Sequence, residues 1–280
     1  MDMAQIKLVW YNVLRGFHKK EQDGSFTFEP ERLEAAKKII SSLKADILFI
    51  GEGDFNPKCK IKGEKIQTID YQKMFNYPYV YYSDTDETSR KGEVILSKFK
   101  ISAVNHTEGK NTHIRSSFVI DKKKVTIDVI HPYPTIPEQE KANFVGKIID
   151  KKESPYVLLG DFNALSPKDK YKFSDLVEEF ILARRSKALA EKEAEESLQA
   201  LMLGRVIDSG LIDTYLECNK RYSGTLPTKA YTRANKKTGT IRIDYIFCSK
   251  EFKVVDSGVL KNELSEIASD HYPIYATLVF

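Results

Sequence analysis

Few cysteines, a single tryptophan and no long apolar run limit what this 280-residue chain can be. The three cysteines, Cys59, Cys218 and Cys248, are odd in number and lack paired zinc-ligand spacing. Neither a disulfide framework nor a zinc finger is expected from them. Such sparse usage points to a reducing, cytoplasmic compartment. The opening run MDMAQIKLVWYNV has an acid at its second position and no signal-peptide-like apolar stretch. No segment is long enough to span a bilayer. A dominant charge sign is also missing, since 44 Lys plus Arg against 40 Asp plus Glu leave +4. That balance permits an anionic partner, nucleic acid included, but does not require one. Repeats and Pro/Gly/Ser-rich linkers are absent too, so one domain over 1–280 is expected.

What is present alternates strand and helix signals. Residues 6–13 are β-branched and aromatic and read as a strand. Pro30 suits a first helical turn, and Leu33, Ala36, Ile39, Ile40 and Leu43 follow at helical spacing. Residues 46–50 form a short apolar run, hence a buried strand. This strand–helix–strand opening favours a sheet with helices outside. Further strands are expected at 79–82, 93–97, 101–104, 116–120, 125–130, 156–160, 241–248, 253–259 and 274–280, and a helix at 137–151. Between 174 and 204 no Gly or Pro precedes Gly204, and Ala, Leu, Glu, Lys and Arg dominate. A helical insertion is expected there, as one long helix or a pair.

The informative feature is polar residues where strands should stay apolar. WYN carries Asn12, ILFIGEGD carries Glu52, and TIDVIHPYP carries His131. VLLGDFNALSP carries Asp161 and Asn163, IRIDYIF carries Asp244, and ASDHYPI carries Asp270 and His271. A buried carboxylate costs several kcal/mol unless it is paired. Any one of these could be a satisfied structural residue, but six such segments make coincidence a poor account. Ends of neighbouring strands converge on one rim, where open α/β sheets place their sites. Glu52, Asp270 and the Asn12 amide offer hard oxygen, which suits Mg²⁺ with Mn²⁺ as a substitute. No closely spaced His pair sits on a helix, which makes zinc less attractive.

In this order the residues resemble the endonuclease/exonuclease/phosphatase superfamily with its DNase I-like fold. GDFN, then RIDYIF, then SDHYPI carry the resemblance, and SRKGEVILSK, with Arg90, Gly92 and Ser97, is similar to a glycine-bearing strand of that family. The resemblance implies a four-layered α/β/β/α sandwich. It implies a Mg²⁺-dependent phosphoesterase that cuts by in-line attack of water. Glu52 would be the main metal carboxylate, helped by Asn12 and Asp270. His271, oriented by Asp244, would act on the water or bind the scissile phosphate. Asp161 would orient or deprotonate the water, Asn163 would hold the phosphate, and His131 would contact phosphate and assist the leaving group. Arg115 starts a strand where relatives carry a site-facing Arg; a phosphate contact and a surface charge both fit it. Tyr133 fits a stacking partner or a cover for the core.

Some positions depart from the family pattern. Gly51 stands where many relatives have Gln, and Gly53 with Asp54 follows Glu52. Asn12 is followed by Val13, Leu14, Arg15 and Gly16, without the acid typical of AP endonucleases, and Thr240 and Ile241 replace a Trp of those enzymes. A base-excision role is therefore disfavoured. Lys58, Lys60, Lys62 and Lys65 form a basic stretch in an expected loop. His18, His106 and His113 lack motif context and read as surface residues. The expected activity is a nuclease on DNA or RNA. The alternative is a phosphatase or phosphodiesterase on a small or lipid phosphate, such as an inositol phosphate. A non-catalytic binding module is the third reading, and the full polar set argues against it.

Overall fold

Near-continuous apolar runs let the central strands bury both faces, and two stacked sheets covered by helices result. The computed structural model describes residues 4–53, 69–83, 92–106, 111–232 and 237–280. In chain order the first strands are β1 (Gln5–Asn12), β2 (His18–Lys20), β3 (Phe26–Phe28), β4 (Ile47–Gly53), β5 (Tyr79–Tyr82), β6 (Gly92–Ser97) and β7 (Ser102–Asn105). Then come β8 (Thr112–Ile120), β9 (Lys123–His131), β10 (Tyr156–Asp161), β11 (Ile212–Asp213), β12 (Asp244–Cys248), β13 (Lys253–Val259) and β14 (Ile274–Val279). The helices of eight or more residues are α1 (Pro30–Leu43), α2 (Glu138–Ile149), α3 (Phe173–Arg184), α4 (Lys187–Leu198) and α5 (Leu201–Asp208).

One six-stranded sheet runs β13-β14-β1-β4-β6-β5 and the other β11-β12-β10-β9-β8-β7. Inward residues of both meet in a central core, with Ile6, Leu8 and Trp10 from the first sheet and Ile127, Val129 and Leu159 from the second. The outward residues Val9 and Tyr11 pack under α1 through Leu33, Ala36 and Ile39. Those of the second sheet, Ile130, Leu158 and Phe247, pack under α2 and α5 through Val145, Ile148, Met202 and Val206. The layers are thus α/β/β/α, the DNase I-like sandwich expected.

Strand direction decides which ends share a rim. Strands β1 and β4 run parallel, as do β9 and β10, so Asn12, Glu52, His131 and Asp161 all lie near C-terminal ends. Antiparallel β6 and β12 bring their N-terminal ends, Glu93 and Asp244, to the same rim. Glycine is required at one point there. Gly160 has φ +143°, and a Cβ on it would lie 1.9 Å from the Ile130 carbonyl oxygen.

The 174–204 region differs from a single helix or a pair. It holds α3, α4 and the start of α5, broken by left-handed residues at Arg185 (φ 54°) and Ala200 (φ 49°). Ser186 caps α4 by accepting from the Leu189 N–H, which fixes the first break. Helix α5 also belongs to the outer layer, and its Met202 and Val206 are buried. Among the described residues no helix is long and apolar enough to cross a membrane. Phe49 is fully buried in the central core. Phe49→Ala should cost about 3–5 kcal/mol, read from urea denaturation.

Candidate active site

Side-chain parity places most of the site. On β1, β9 and β10 the inward positions end in Asn12, His131 and Asp161; on β6 and β12 they begin at Glu93 and Asp244. Parity alone would turn Glu52 outward with Leu48 and Ile50. Its φ of +57° and a register irregularity between Ile50 and Gly53 break the alternation. Its charge then reaches His131, and its Oε2 accepts the Arg15 N–H at 3.1 Å. Asn163 is also left-handed, at φ 46°. So are all four residues of the turn Leu14–Phe17, which follows Asn12. Such backbone costs about 1–2 kcal/mol per non-glycine residue and persists only where surroundings hold it.

Those holds are visible. The Asn12 Oδ1 accepts the Leu14 N–H at 3.0 Å. Buried Arg32 donates to the Val13 and Leu14 carbonyls at 2.8 and 3.2 Å, and to the Ala268 carbonyl at 3.0 Å. One guanidinium therefore ties the Leu14–Phe17 turn to the loop that carries Asp270. At Asn163, the N–H donates to Asp161 Oδ1 (2.9 Å) and the amide nitrogen donates to the Pro132 carbonyl (3.0 Å). The buried Lys141 Nζ donates to the Asn163 carbonyl at 2.5 Å and to Glu138 Oε1 at 3.3 Å. Glu138 accepts the Met202 N–H at 3.4 Å and donates its own N–H to Glu196 at 3.0 Å.

Two imidazole–carboxylate pairs face each other across the rim. His271 Nδ1 meets Asp244 Oδ2 at 2.8 Å, and His131 Nδ1 meets Glu93 Oε1 at 3.0 Å. Between them sits Asp161. Its Oδ2 lies 3.6 Å from His131 Nε2, 3.8 Å from His271 Nε2 and 3.3 Å from Asn12 Nδ2. Asp161 and Asp244 are direct register partners across β10 and β12. Burial and the Asp244 charge push the Asp161 carboxyl up to about 6, against the pull of both histidines. Burial works against a charged His131, but the Glu93 hydrogen bond and the Asp161, Glu93 and Glu52 charges outweigh it and raise it to about 9. Burial likewise opposes charge on His271, yet Asp244, Asp270 and Asp161 hold it well above the usual imidazole range.

A cation has two places to go. Ligand atoms of Asp161, Asp244 and His271 lie within 4.8 Å of one another. Asp244, however, already accepts from Trp10 Nε1 at 2.8 Å on one oxygen and faces His271 with the other. The rim around Glu52 offers other oxygens, two of which accept backbone N–H groups: Glu52 Oε2 from Arg15 and Asn12 Oδ1 from Leu14. Glu52 and Asp270 are only partly buried, and Asn12 is the register partner of Gly51, the residue before Glu52. That donor set is oxygen alone and fits a hard divalent ion.

Other positions fall outside this cluster. Arg115 lies on the outward face of β8, because parity puts its neighbour Ile114 inward. Its guanidinium forks onto buried Asp128 at 3.0 and 2.7 Å, so it is not placed to touch a phosphate at the rim. Tyr133 is 38% exposed on the loop beyond His131. His18 and His113 are buried rather than on the surface: His18 bonds the Gly16 carbonyl at 3.0 Å and His113 bonds Asp128 at 3.0 Å. His106 is exposed and stacks on His113. The Lys58, Lys60, Lys62 and Lys65 stretch, Asp54 and Arg90 lie outside the described residues. Glu93, Trp10, Arg32 and Lys141 join the site without having been expected there.

An oxygen-rich rim with two imidazole pairs, on a sandwich of this topology, defines a phosphoesterase with the DNase I-like fold. Residues 9–271 match the Endonuclease/Exonuclease/phosphatase family model, and the chain belongs to that family, whose members are phosphoesterase hydrolases. No curated protein sequence matches it. Solved structures share the fold. An endonuclease/exonuclease/phosphatase from Beutenbergia cavernae DSM 12333 superposes with TM-score 0.66 at 16% identity, over 99% of this chain and 72% of that one. An AP endonuclease from Archaeoglobus fulgidus gives 0.63 at 19%, over 97% and 98%. D. rerio TDP2 complexed with single strand DNA product gives 0.60 at 13%, over 98% of each.

Arg115→Ala leaves the buried Asp128 short of its cation. It should lower stability by about 3 kcal/mol in urea denaturation while turnover stays unchanged. A second check uses the raised His131. Its pairing with Glu93 stabilises the metal-free fold fully below about pH 6.5, and that contribution is lost as pH rises through about 9. The gap in urea midpoint between the parent and Glu93→Gln should therefore narrow between about pH 6 and about pH 10.

Proposed function

We propose that this protein is a Mg²⁺-dependent nuclease, with Mn²⁺ as a substitute, that cleaves a phosphodiester of DNA or RNA by in-line attack of water. The observation that carries the reading is Asp161 Oδ2 set between two imidazole Nε2 atoms at 3.6 and 3.8 Å. A carboxylate raised to about 6 is suited to take a proton from water near neutral pH. In this reading Asp161 orients and deprotonates the water. His271, fixed by Asp244, and His131, fixed by Glu93, present N–H donors to the phosphoryl oxygens. The protonated His131 would give a proton to the leaving oxygen. Asn163 adds an amide donor, held in its left-handed conformation by Lys141 and Asp161. Glu52, Asn12 and Asp270 would hold the cation, which supplies charge neutralisation for the phosphate.

Nucleic acid is favoured over a small phosphate for two reasons. The balance of charge is mildly basic. Proteins of the same fold include an AP endonuclease, TDP2 with its single strand DNA product and a 3'-5' exonuclease. Tyr133, exposed on the loop beyond His131, would be the residue to stack on a base. A panel of plasmid, single-stranded DNA, RNA and inositol phosphates decides between the classes. Cleavage of an oligonucleotide should stop with EDTA and return with Mg²⁺ or Mn²⁺. It should weaken steeply as salt rises. His271→Ala and Glu52→Gln should each lower kcat by about 10²–10⁴-fold. Full turnover in both variants would reject the assignment, and hydrolysis confined to inositol phosphates would reject the nucleic-acid substrate.

A further inference from the structure

The proposed reaction uses Asp244 and His271, and neither fixes its own orientation. A carboxylate on Cβ can rotate, and its two oxygens are equivalent unless something distinguishes them. Here each has one partner: Oδ2 meets His271 Nδ1 and Oδ1 accepts the Trp10 indole N–H, both at 2.8 Å. Trp10 is fully buried and points inward from β1, two residues before Asn12. To reach Asp244 its ring crosses residue 51. A Cβ on Gly51 would lie 2.6 Å from Cη2 and from Cζ2 of the indole. Gly51 does not have a positive φ, so backbone freedom does not explain the glycine. The space does: the ring occupies the volume a side chain at 51 would fill, directly beside Glu52.

We propose that Trp10 is a positioning residue whose indole N–H sets the Asp244 carboxylate, and through it His271, and that Gly51 is bare to admit the ring. The kinetic arm of this inference rests on the phosphoesterase reading; the spectroscopic arm does not. Because the chain has one tryptophan, a ¹H–¹⁵N spectrum holds a single indole resonance that reports only this contact. Asp244→Asn replaces a charged acceptor with a neutral one, so that resonance should move upfield. An unmoved resonance overturns the proposal.

Trp10→Phe keeps most of the ring and removes the donor. It should lower kcat about ten-fold or more and change KM by less than about two-fold, with far-UV circular dichroism unchanged. Gly51→Ala should lower kcat in the parent and have almost no effect in the Trp10→Phe background, where the shorter ring leaves room. Parental kcat in Trp10→Phe, or equal losses from Gly51→Ala in both backgrounds, overturns the proposal. Should the parent hydrolyse no ester of the panel, the hydrolase reading fails and the indole shift alone decides this one.

Discussion

Two carboxylates meet face to face at the end of the second sheet, and much of the site follows from making that tolerable. Asp161 and Asp244 are register partners on antiparallel strands, and both are buried. Like charges directly opposed on a sheet repel, and burial removes the water that would screen them. The chain answers with donors. Asp244 receives Trp10 and His271, while Asp161 receives the Asn163 N–H and is flanked by Asn12 and both imidazoles. Burial, with the repulsion that remains, raises the Asp161 carboxyl.

A second cost is in the backbone. Glu52, Asn163 and the Leu14–Phe17 turn all occupy left-handed conformations within the same rim. The turn is held by Arg32 and the Asn12 amide and Asn163 by Lys141, while Glu52 receives the Arg15 N–H of that turn. Unusual backbone clusters around groups that need an unusual direction, as Glu52 does when it turns from the outer face towards His131.

Much of this was legible in the chain. Asn12, His131 and Asp161 stand out as polar residues that close apolar strands. The strand–helix–strand opening indicates only a sheet with helices outside; the four-layer order is what the family resemblance implies. What stayed hidden depends on direction. Glu93 begins its strand instead of ending it, and nothing local states that β6 runs against β4. Arg115 was read by its place near a strand start, whereas parity with Ile114 turns it to the opposite face. The breaks at Arg185 and Ala200 lack glycine or proline, so no local breaker marked them. The role of Arg32 has no local mark either, because its carbonyl partners lie 18 to 236 residues away in sequence.

The Lys141–Glu138 pair links the outermost layer to the reaction loop. Through it the amide of Met202 and the carboxylate of Glu196 bear on the carbonyl of Asn163. It adds to the two other holds on Asn163, from the Asp161 carboxylate and the Pro132 carbonyl. Loosening of the peripheral helices would thus slacken one of the holds on a left-handed residue at the rim, so distant packing bears on the geometry of the site.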